Sequence, residues 1–523
     1  MLVDENSKIL SFLDCCDKSS LKKPAFVTLQ QTYSYQDVRS RVAAMVNLLR
    51  AQGLMPGQRV LTIADNDEYA VFFFLAASAI GIQVLIPYNL KEAALLEWIN
   101  IIEIAKPEHI IYLKKTDTVL IEKLHISGVN LVEINRVQIE TIDEAVSNII
   151  VEASSPVEKF LVLFTSGTTG NPKAISLQER LIARRILKVS ATLKFHSDAH
   201  IMMSGLMNNT TGIIFSLGAL AHKATLFFPD SPDVADWAPQ IQKHRLTHIM
   251  LRPVFMKDFL EDSRTVKADL SSLQVIAYGA APLPIKVLEE GRRLIPCEWI
   301  QGYGLSETFG PFCWLMEEEH KLKLYAQYVH CIGRPDDSVD VAVFDASGNS
   351  LPVNEIGEIV VRSSGMMEGY CNFEKNTIES LGEWFHTGDF GMFSSEGYLV
   401  LKGREAETIL TPNGHKIYPS EIENLLYKIP GVEEAVLVGW STSETAVKYP
   451  VVCIYCTQDL QNDPVALTNA LSESFQNTLS PEKWPTFLYI SPEPLPKNQN
   501  GKIVKRDILP FIKPEKMIEF STI

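Results

Sequence analysis

The stretch FLVLFTSGTTGNPKA, residues 160–174, runs from an apolar β-strand pattern into a loop of glycines and hydroxyl residues that closes on a lysine. Glycines let backbone N–H groups approach an anion closely. Ser166, Thr168 and Thr169 add hydroxyl donors, and Lys173 adds positive charge. This is the composition of a phosphate cradle rather than of a surface linker, which has no use for the lysine. It is not the P-loop of nucleoside triphosphatases. That pattern, GxxxxGK[ST], requires glycine at 172 and Ser or Thr at 174, where this chain has Pro172 and Ala174.

Around the loop, strand-like and helix-like runs alternate. RVLTIA precedes a helical run from Tyr69, GIQVLIPY precedes LKEAALLEWINIIEIA, and HIIYL follows. This is the rhythm of α/β architecture with a parallel sheet. LTHIMLRP, LQVIAYGAAP and CEWIQGYG are short apolar runs that end in small residues, and ligands of open α/β sheets sit at such strand ends. From about residue 339 the texture turns to short strands and turns (VDVAVFDASGNSLP, GEIVVRSS), which predicts a β-rich subdomain. After Gly403 comes a compact piece of about 120 residues, long enough for a small domain.

A chain of 523 residues exceeds one ordinary domain. Its hydrophobic fraction of 46% and charged fraction of 21% are those of a globular protein. The formal charge of -15 argues against nucleic acid as a partner. It does not exclude a small anion, because a local site can be basic in an acidic protein. The 8 cysteines show no framework spacing and MLVDENSKIL has no signal-peptide character, so a cytoplasmic, reducing setting is expected. Cys453 and Cys456 form a CxxC inside VVCIYC, whose β-branched run predicts a buried strand rather than a redox or metal pair. Residues 69–86, YAVFFFLAASAIGIQVLI, approach the length of a membrane span. Gly81 and Gln83 interrupt them, so a buried helix, a glycine turn and a buried strand are expected, with no membrane span.

The loop resembles the nucleotide loop of the adenylate-forming superfamily, which comprises acyl- and aryl-CoA ligases, stand-alone and peptide-synthetase adenylation domains, and firefly luciferases. Further signatures stand in that family's order: YGAAPLP (278–284), QGYGLSET (301–308), GEIVVRSSGMMEGY (357–370), WFHTGDFG (384–391), GYLVLKGREAETILTPNGHKIYPSEIE (397–423) and LPKNQNGKIVKRD (495–507). The resemblance spans residues 160–507. It implies an α/β fold with a large N-terminal domain (1–403) of stacked α/β subdomains plus a β-rich subdomain. A small mobile α+β C-terminal domain (404–523) follows.

The resemblance also implies a two-step reaction. A carboxylate attacks the α-phosphate of ATP, giving an acyl-adenylate and pyrophosphate, and a thiol then displaces AMP. Thr165, Ser166, Gly167, Thr168, Thr169, Gly170 and Lys173 would hold the β- and γ-phosphates. Gly279, Ala280 and Ala281 would meet the adenine, with Gly302, Tyr303, Gly304 and Ser306 along the nucleotide. Glu307 would bind Mg²⁺, and Ser306 keeps the hydroxyl of the commoner threonine. Asp389 would accept hydrogen bonds from the ribose hydroxyls, and Arg404 would support the ribose or phosphate. Lys502, on the small domain, would stabilise charge developing at the α-phosphate and carboxylate. The catalytic set is Lys502, Lys173 and Glu307. The family's hinge residue, Asp or Lys, is here Ala406, which leaves the energetics of the domain swing open.

Met207, Asn208, Asn209, Tyr278 and Gly304 are the candidates for contact with the acid. MMSGLMNNTTGIIFSLGAL contains no carboxylate, so an α-amino acid, whose buried ammonium needs a partner, is not expected. The amides of Asn208 and Asn209 serve either a substrate hydroxyl or carbonyl, or the loop backbone. The acid expected is an aryl or short-to-medium acyl acid. The thiol is that of CoA, or the phosphopantetheine of a separate acyl or peptidyl carrier protein. Asn413-Gly414 stands where several CoA ligases have Gly-Gly, and no carrier domain follows Lys502. A non-catalytic nucleotide-binding relative is the remaining reading, against which all five of Lys173, Glu307, Asp389, Arg404 and Lys502 stand.

Overall fold

The computed structural model describes residues 8–13, 20–63, 65–87, 95–112, 129–140, 158–165, 173–231, 233–281, 283–322, 330–363, 365–373, 377–380, 382–441, 448–497 and 503–520. Among these residues, two large sheets dominate. The 8-stranded sheet has a parallel centre formed by Leu161–Thr165, Gln83–Ile86, Arg59–Ile63, His109–Tyr112 and Asn130–Glu133. Its other edge is antiparallel, with Lys173–Leu177 followed by Gly369–Asn372 and Thr377–Ser380. The 13-stranded sheet is parallel from Glu298–Leu305 through Val275–Gly279, His248–Met250, His200–Met202 and Thr225–Phe227 to Pro24–Val27. Its other half, from Gly310–Leu315 to Asp340–Phe344, is antiparallel. This half contains the β-rich region expected after residue 339 but begins earlier, with Gly310–Leu315 and Cys331–Pro335.

One apolar core serves both sheets. It contains Val84, Leu161 and Ile175 of the smaller sheet, Phe26, Ile201 and Ile300 of the larger, and residues of the four helices Tyr35–Ala51, Glu68–Ile80, Glu179–Thr192 and Thr210–Ala221. The helix Glu68–Ile80 is buried on every face, as a helix apolar all round must be. Asp67 caps its start, accepting from the N–H groups of Tyr69 and Ala70. Gly81 ends it in the left-handed region at φ 87, and Gln83–Ile86 follows as a fully buried strand. Residues 69–86 are therefore the helix, glycine turn and strand expected, and no described helix is long and apolar enough to cross a membrane.

A second unit holds the chain after residue 404. Its sheet runs Val432–Trp440, Tyr449–Cys456, Phe487–Ile490 and Met517–Glu519, with the helices Pro419–Leu426 and Pro464–Gln476 on a core of their own. Cys453 and Cys456 lie on the strand Tyr449–Cys456 as expected. Being three apart they face opposite sides, and they belong to different clusters.

Arg185 of the helix Glu179–Thr192 is buried beneath the junction of the parallel and antiparallel halves. Its guanidinium lies 3.6 Å from Asp336, donates to Ser338 at 2.6 Å and reaches the Pro311 carbonyl. Asp336 also accepts from the Trp314 indole at 3.2 Å. Replacing Arg185 by Leu strands a carboxylate whose side chain is 7% exposed. The expected loss is about 3–5 kcal/mol of stability, read from urea unfolding, and a variant as stable as the parent would show that Asp336 does not need its cation.

Candidate active site

The strands Leu161–Thr165 and Lys173–Leu177, which flank the phosphate-loop segment in the sequence, pair in antiparallel register up to Thr165 opposite Lys173. Ser166, Gly167, Thr168, Thr169 and Gly170, like Lys502, lie outside the described residues. Lys173 is the first paired residue beyond that segment and is exposed. Its Nζ stands 5.0 Å from the centroid of the Tyr370 ring, within cation–π reach.

Tyr370 belongs to the strand Gly369–Asn372, next to the lysine's own strand, and pairs with Ile175. Its phenol donates to Glu307 Oε1 at 3.1 Å. The Met367 N–H, three residues earlier, donates to the Glu307 carbonyl at 2.8 Å. Glu307 itself sits in a turn after the strand Glu298–Leu305. Thr308 holds that turn, its hydroxyl accepting from the Leu305 N–H at 3.1 Å and lying 2.9 Å from the Gly310 carbonyl. Ser306 accepts from the Phe309 N–H through its carbonyl at 3.0 Å. Lys173 and Glu307, 134 positions apart in the sequence, thus touch one ring.

The same strand supplies the neighbouring features. CEWIQGYG is a strand, as its apolar run suggests, and it continues through its small residues to Leu305. Glycine permits this, because a Cβ on Gly304 would lie 2.2 Å from the Gly310 carbonyl oxygen. Gly302 pairs with Gly279 at the end of Val275–Gly279. A Cβ on Gly279, whose φ is +156, would meet Gly302 O at 2.1 Å, and Ala280 follows with φ 64. The chain turns sharply there, with half-buried Ala281 beside it.

Between the glycines, Tyr303 donates to Asp389 Oδ2 at 2.7 Å. Arg404 Nε lies 2.9 Å from Asp389 Oδ1, and the two residues are cross-strand partners. The Asp389 side chain is 4% exposed and that of Arg404 48%, so a buried carboxylate is held by a buried phenol and a cation open to solvent. Burial and the Asp389 charge push the Tyr303 phenol well above its ordinary value, so it remains a donor. Burial is the largest single influence and works against the Arg404 charge, but Asp389, Tyr303, Glu407 and Glu307 together outweigh it and raise the guanidinium.

Of the acid-contact candidates, Tyr278 is buried in the core and Met207 is buried against Ser216. Asn209 caps the helix Thr210–Ala221, its Oδ1 accepting from the Gly212 N–H at 3.2 Å. That assigns the Asn209 carbonyl to the loop backbone, while Asn208 beside it is half-buried. Gly304 and Tyr278 flank Gly302 on the paired strands.

Three residues not singled out from the sequence complete the site. Tyr370 is one. Asn66 is the second: its Oδ1 accepts from the Met207 N–H at 2.9 Å and ties the 205–209 loop to the start of the helix Glu68–Ile80. His320 is the third. Its Nδ1 lies 2.6 Å from the Met316 carbonyl, which can only accept, so Nδ1 carries the proton and Nε2 accepts from the Tyr278 phenol at 2.8 Å. Only the aromatic at 370 lay inside a recognisable motif; an Asn before a helix or a His after three glutamates carries no such signal.

A family profile described as AMP-binding enzyme matches residues 13–371. A putative acyl–CoA ligase, YdaB, of Bacillus subtilis is 27% identical over 91% of this chain and 93% of its own. A fatty acid–[acyl-carrier-protein] ligase, ScoC, of Streptomyces coeruleorubidus is 26% identical over 93% of this chain and 92% of its own. Among solved structures, the anthranilate CoA ligase AuaEII in complex with anthranoyl-AMP superposes with a TM-score of 0.84 over 97% of both chains at 20% identity.

Burial holds the His320 imidazole down to about 4, whereas an unfolded histidine takes up its proton near about 6.5. The ring's contribution to stability is therefore complete above about pH 6.5 and lost as the pH falls to about 4. His320→Gln should flatten the decline in urea midpoint across that window. An unchanged slope would assign the decline to other groups.

Proposed function

The chain belongs to the family of AMP-binding enzymes, and we propose that it joins a carboxylic acid to the thiol of CoA through an acyl-adenylate. One observation carries this reading. The single strand Glu298–Leu305 brings together a carboxylate suited to a metal, a cation beside the phosphate loop and a buried carboxylate suited to two hydroxyls. Tyr303 on that strand holds Asp389, and Glu307 just beyond it meets Tyr370 and, across the ring, Lys173.

In the first step a substrate carboxylate oxygen attacks the α-phosphorus of ATP. The P–O bond to the β-phosphate breaks, and pyrophosphate leaves with the bonding pair. Lys173 and the loop before it receive the charge that gathers on the leaving group. Asp389 accepts from the ribose hydroxyls and, with Tyr303 and Arg404 at its two oxygens, does so from a fixed position. The adenine is assigned to the sharp turn at Gly279, Ala280 and Ala281, where the paired strands end. In the second step the thiol sulfur attacks the acyl carbon, its proton passes to solvent and AMP departs.

A magnesium ion fits the donor set. Among the described residues no cluster of three metal-binding side chains exists, and Mg²⁺ with a nucleotide is held by one or two carboxylates plus phosphate oxygens. Glu307, whose Oε1 accepts from Tyr370, supplies that carboxylate. When bound, the ion offsets phosphate charge. Lys502, from its place in LPKNQNGK, is the cation for the α-phosphate.

Chain division belongs to the same proposal. The large body's sheet ends at Arg404, and the unit beyond it has its own core. The small domain then starts at the turn Glu405–Glu407, which contains Ala406. The substrate is an aryl or short-to-medium acyl acid, and the setting is cytoplasmic, where ATP and CoA are abundant. One observation favours a carrier-protein acceptor as the second reading. Asn413 and Gly414 form an exposed hairpin turn on the small domain, with no atom near a Cβ placed on Gly414.

ATP–pyrophosphate exchange across a panel of carboxylic acids, without thiol, should proceed with particular aryl or acyl acids. Lys502→Ala should suppress that exchange by about 100-fold or more while sparing thioester formation from a supplied acyl-adenylate. No exchange with any acid would favour a nucleotide-binding relative without catalysis, and equal loss of both half-reactions would remove Lys502 from its role.

A further inference from the structure

Tyr370 meets the two groups whose charges oppose each other at the phosphate end of the site. Lys173 lies over its face at 5.0 Å, and Glu307 accepts from its hydroxyl at 3.1 Å. Its backbone is held by main-chain contacts that use neither charged side chain. Gly369 and Tyr370 pair with Ser176 and Ile175, and the Met367 N–H holds the Glu307 carbonyl. The strand Gly369–Asn372 therefore sets the lysine's height by sheet register and the glutamate's by two hydrogen bonds.

We propose that Tyr370 is the positioning residue that keeps Lys173 for phosphate and Glu307 for the metal, by standing between them and binding each through a different part of one ring. This rests on the reading of Lys173 and Glu307 as phosphate and magnesium ligands. A cation and a carboxylate in one pocket attract each other, and a direct pair would occupy both before nucleotide arrives. The ring face attracts the ammonium without drawing on Glu307. The hydroxyl takes one lone pair of Oε1 and fixes the carboxylate plane, so that Oε2 is presented to a cation from one side. The division makes the two functions separable. Phenylalanine at 370 keeps the face and loses the hydroxyl, whereas leucine loses both.

The test is equilibrium binding of Mn²⁺, by electron paramagnetic resonance, to the full chain with a non-hydrolysable ATP analogue, together with binding of that analogue without metal. Tyr370→Phe should weaken Mn²⁺ uptake about tenfold and leave metal-free nucleotide binding unchanged. Tyr370→Leu should weaken both. Glu307→Gln serves as the reference and should lose the Mn²⁺ signal. If Glu307→Gln loses the metal while Tyr370→Phe binds it like the parent, the positioning role is overturned alone. If Glu307→Gln binds Mn²⁺ like the parent, the metal site itself has been misassigned, and the role of Tyr370 falls with it.

Discussion

Two sheets that share a core must be tied at an edge, or each could slide over the helices between them. The tie here is a short excursion of the chain. It leaves the larger sheet at Arg362, adds Gly369–Asn372 and Thr377–Ser380 to the smaller one, and returns at Phe385. Phe373 stacks on Phe164 at 6.2 Å, and Glu368 accepts from the Gln178 amide. The strands that flank the phosphate loop belong to one sheet and Glu307 to the end of a strand in the other, so their separation is set by this crossing. A register slip of one residue at Gly369–Asn372 would turn Tyr370 to the opposite face and part the two halves of the site.

The electrostatics at Asp389 show why buried charge is kept at this point. A carboxylate with so little exposure is costly unless its lone pairs are used. Tyr303 and Arg404 engage one oxygen each, and the lone pairs left over are those a pair of vicinal hydroxyls would find. Arg404 is also the last residue of its strand. Across the boundary the helix Pro419–Leu426 docks on the same strand, with Lys402 3.4 Å from Glu421, His330 3.1 Å from the Ser420 carbonyl and Tyr418 beside Phe390. These contacts are partly buried, and the Tyr418 ring is buried.

Much of the fold was legible because the sequence punctuates it. Gly81 and Gln83 marked where the apolar run 69–86 breaks, and the β-branched VVCIYC marked a strand rather than a metal pair. The site was legible in part. Motifs in order singled out Lys173, Glu307, Asp389 and Arg404, which the fold gathers around Tyr370 and Tyr303. They did not give partners. Nothing local to Tyr278 points to His320, and nothing near Met207 points to Asn66, because those contacts arise from strands and loops far apart in the chain. How far the strand runs on through Gly302 and Gly304 was not legible for a related reason. Glycine reads as a loop former until the close backbone across from it, at Gly310, is known.

The cysteines bear on the chemistry from an unexpected side. Cys297, Cys313, Cys331, Cys371, Cys453 and Cys456 are unpaired, and none is exposed. Burial raises every one of these thiols, to about 12 at Cys297 and about 11 at Cys331. Only a thiolate is a competent sulfur nucleophile. Cys371 is the telling case, since it follows Tyr370 directly yet turns the other way, into the cluster of Phe164 and Ala174. A catalyst that prepares an activated acyl group for an incoming sulfur must not offer its own. Among the described residues, each of these six thiols stays protonated and turned inward, so none of them competes with the incoming sulfur for the acyl group.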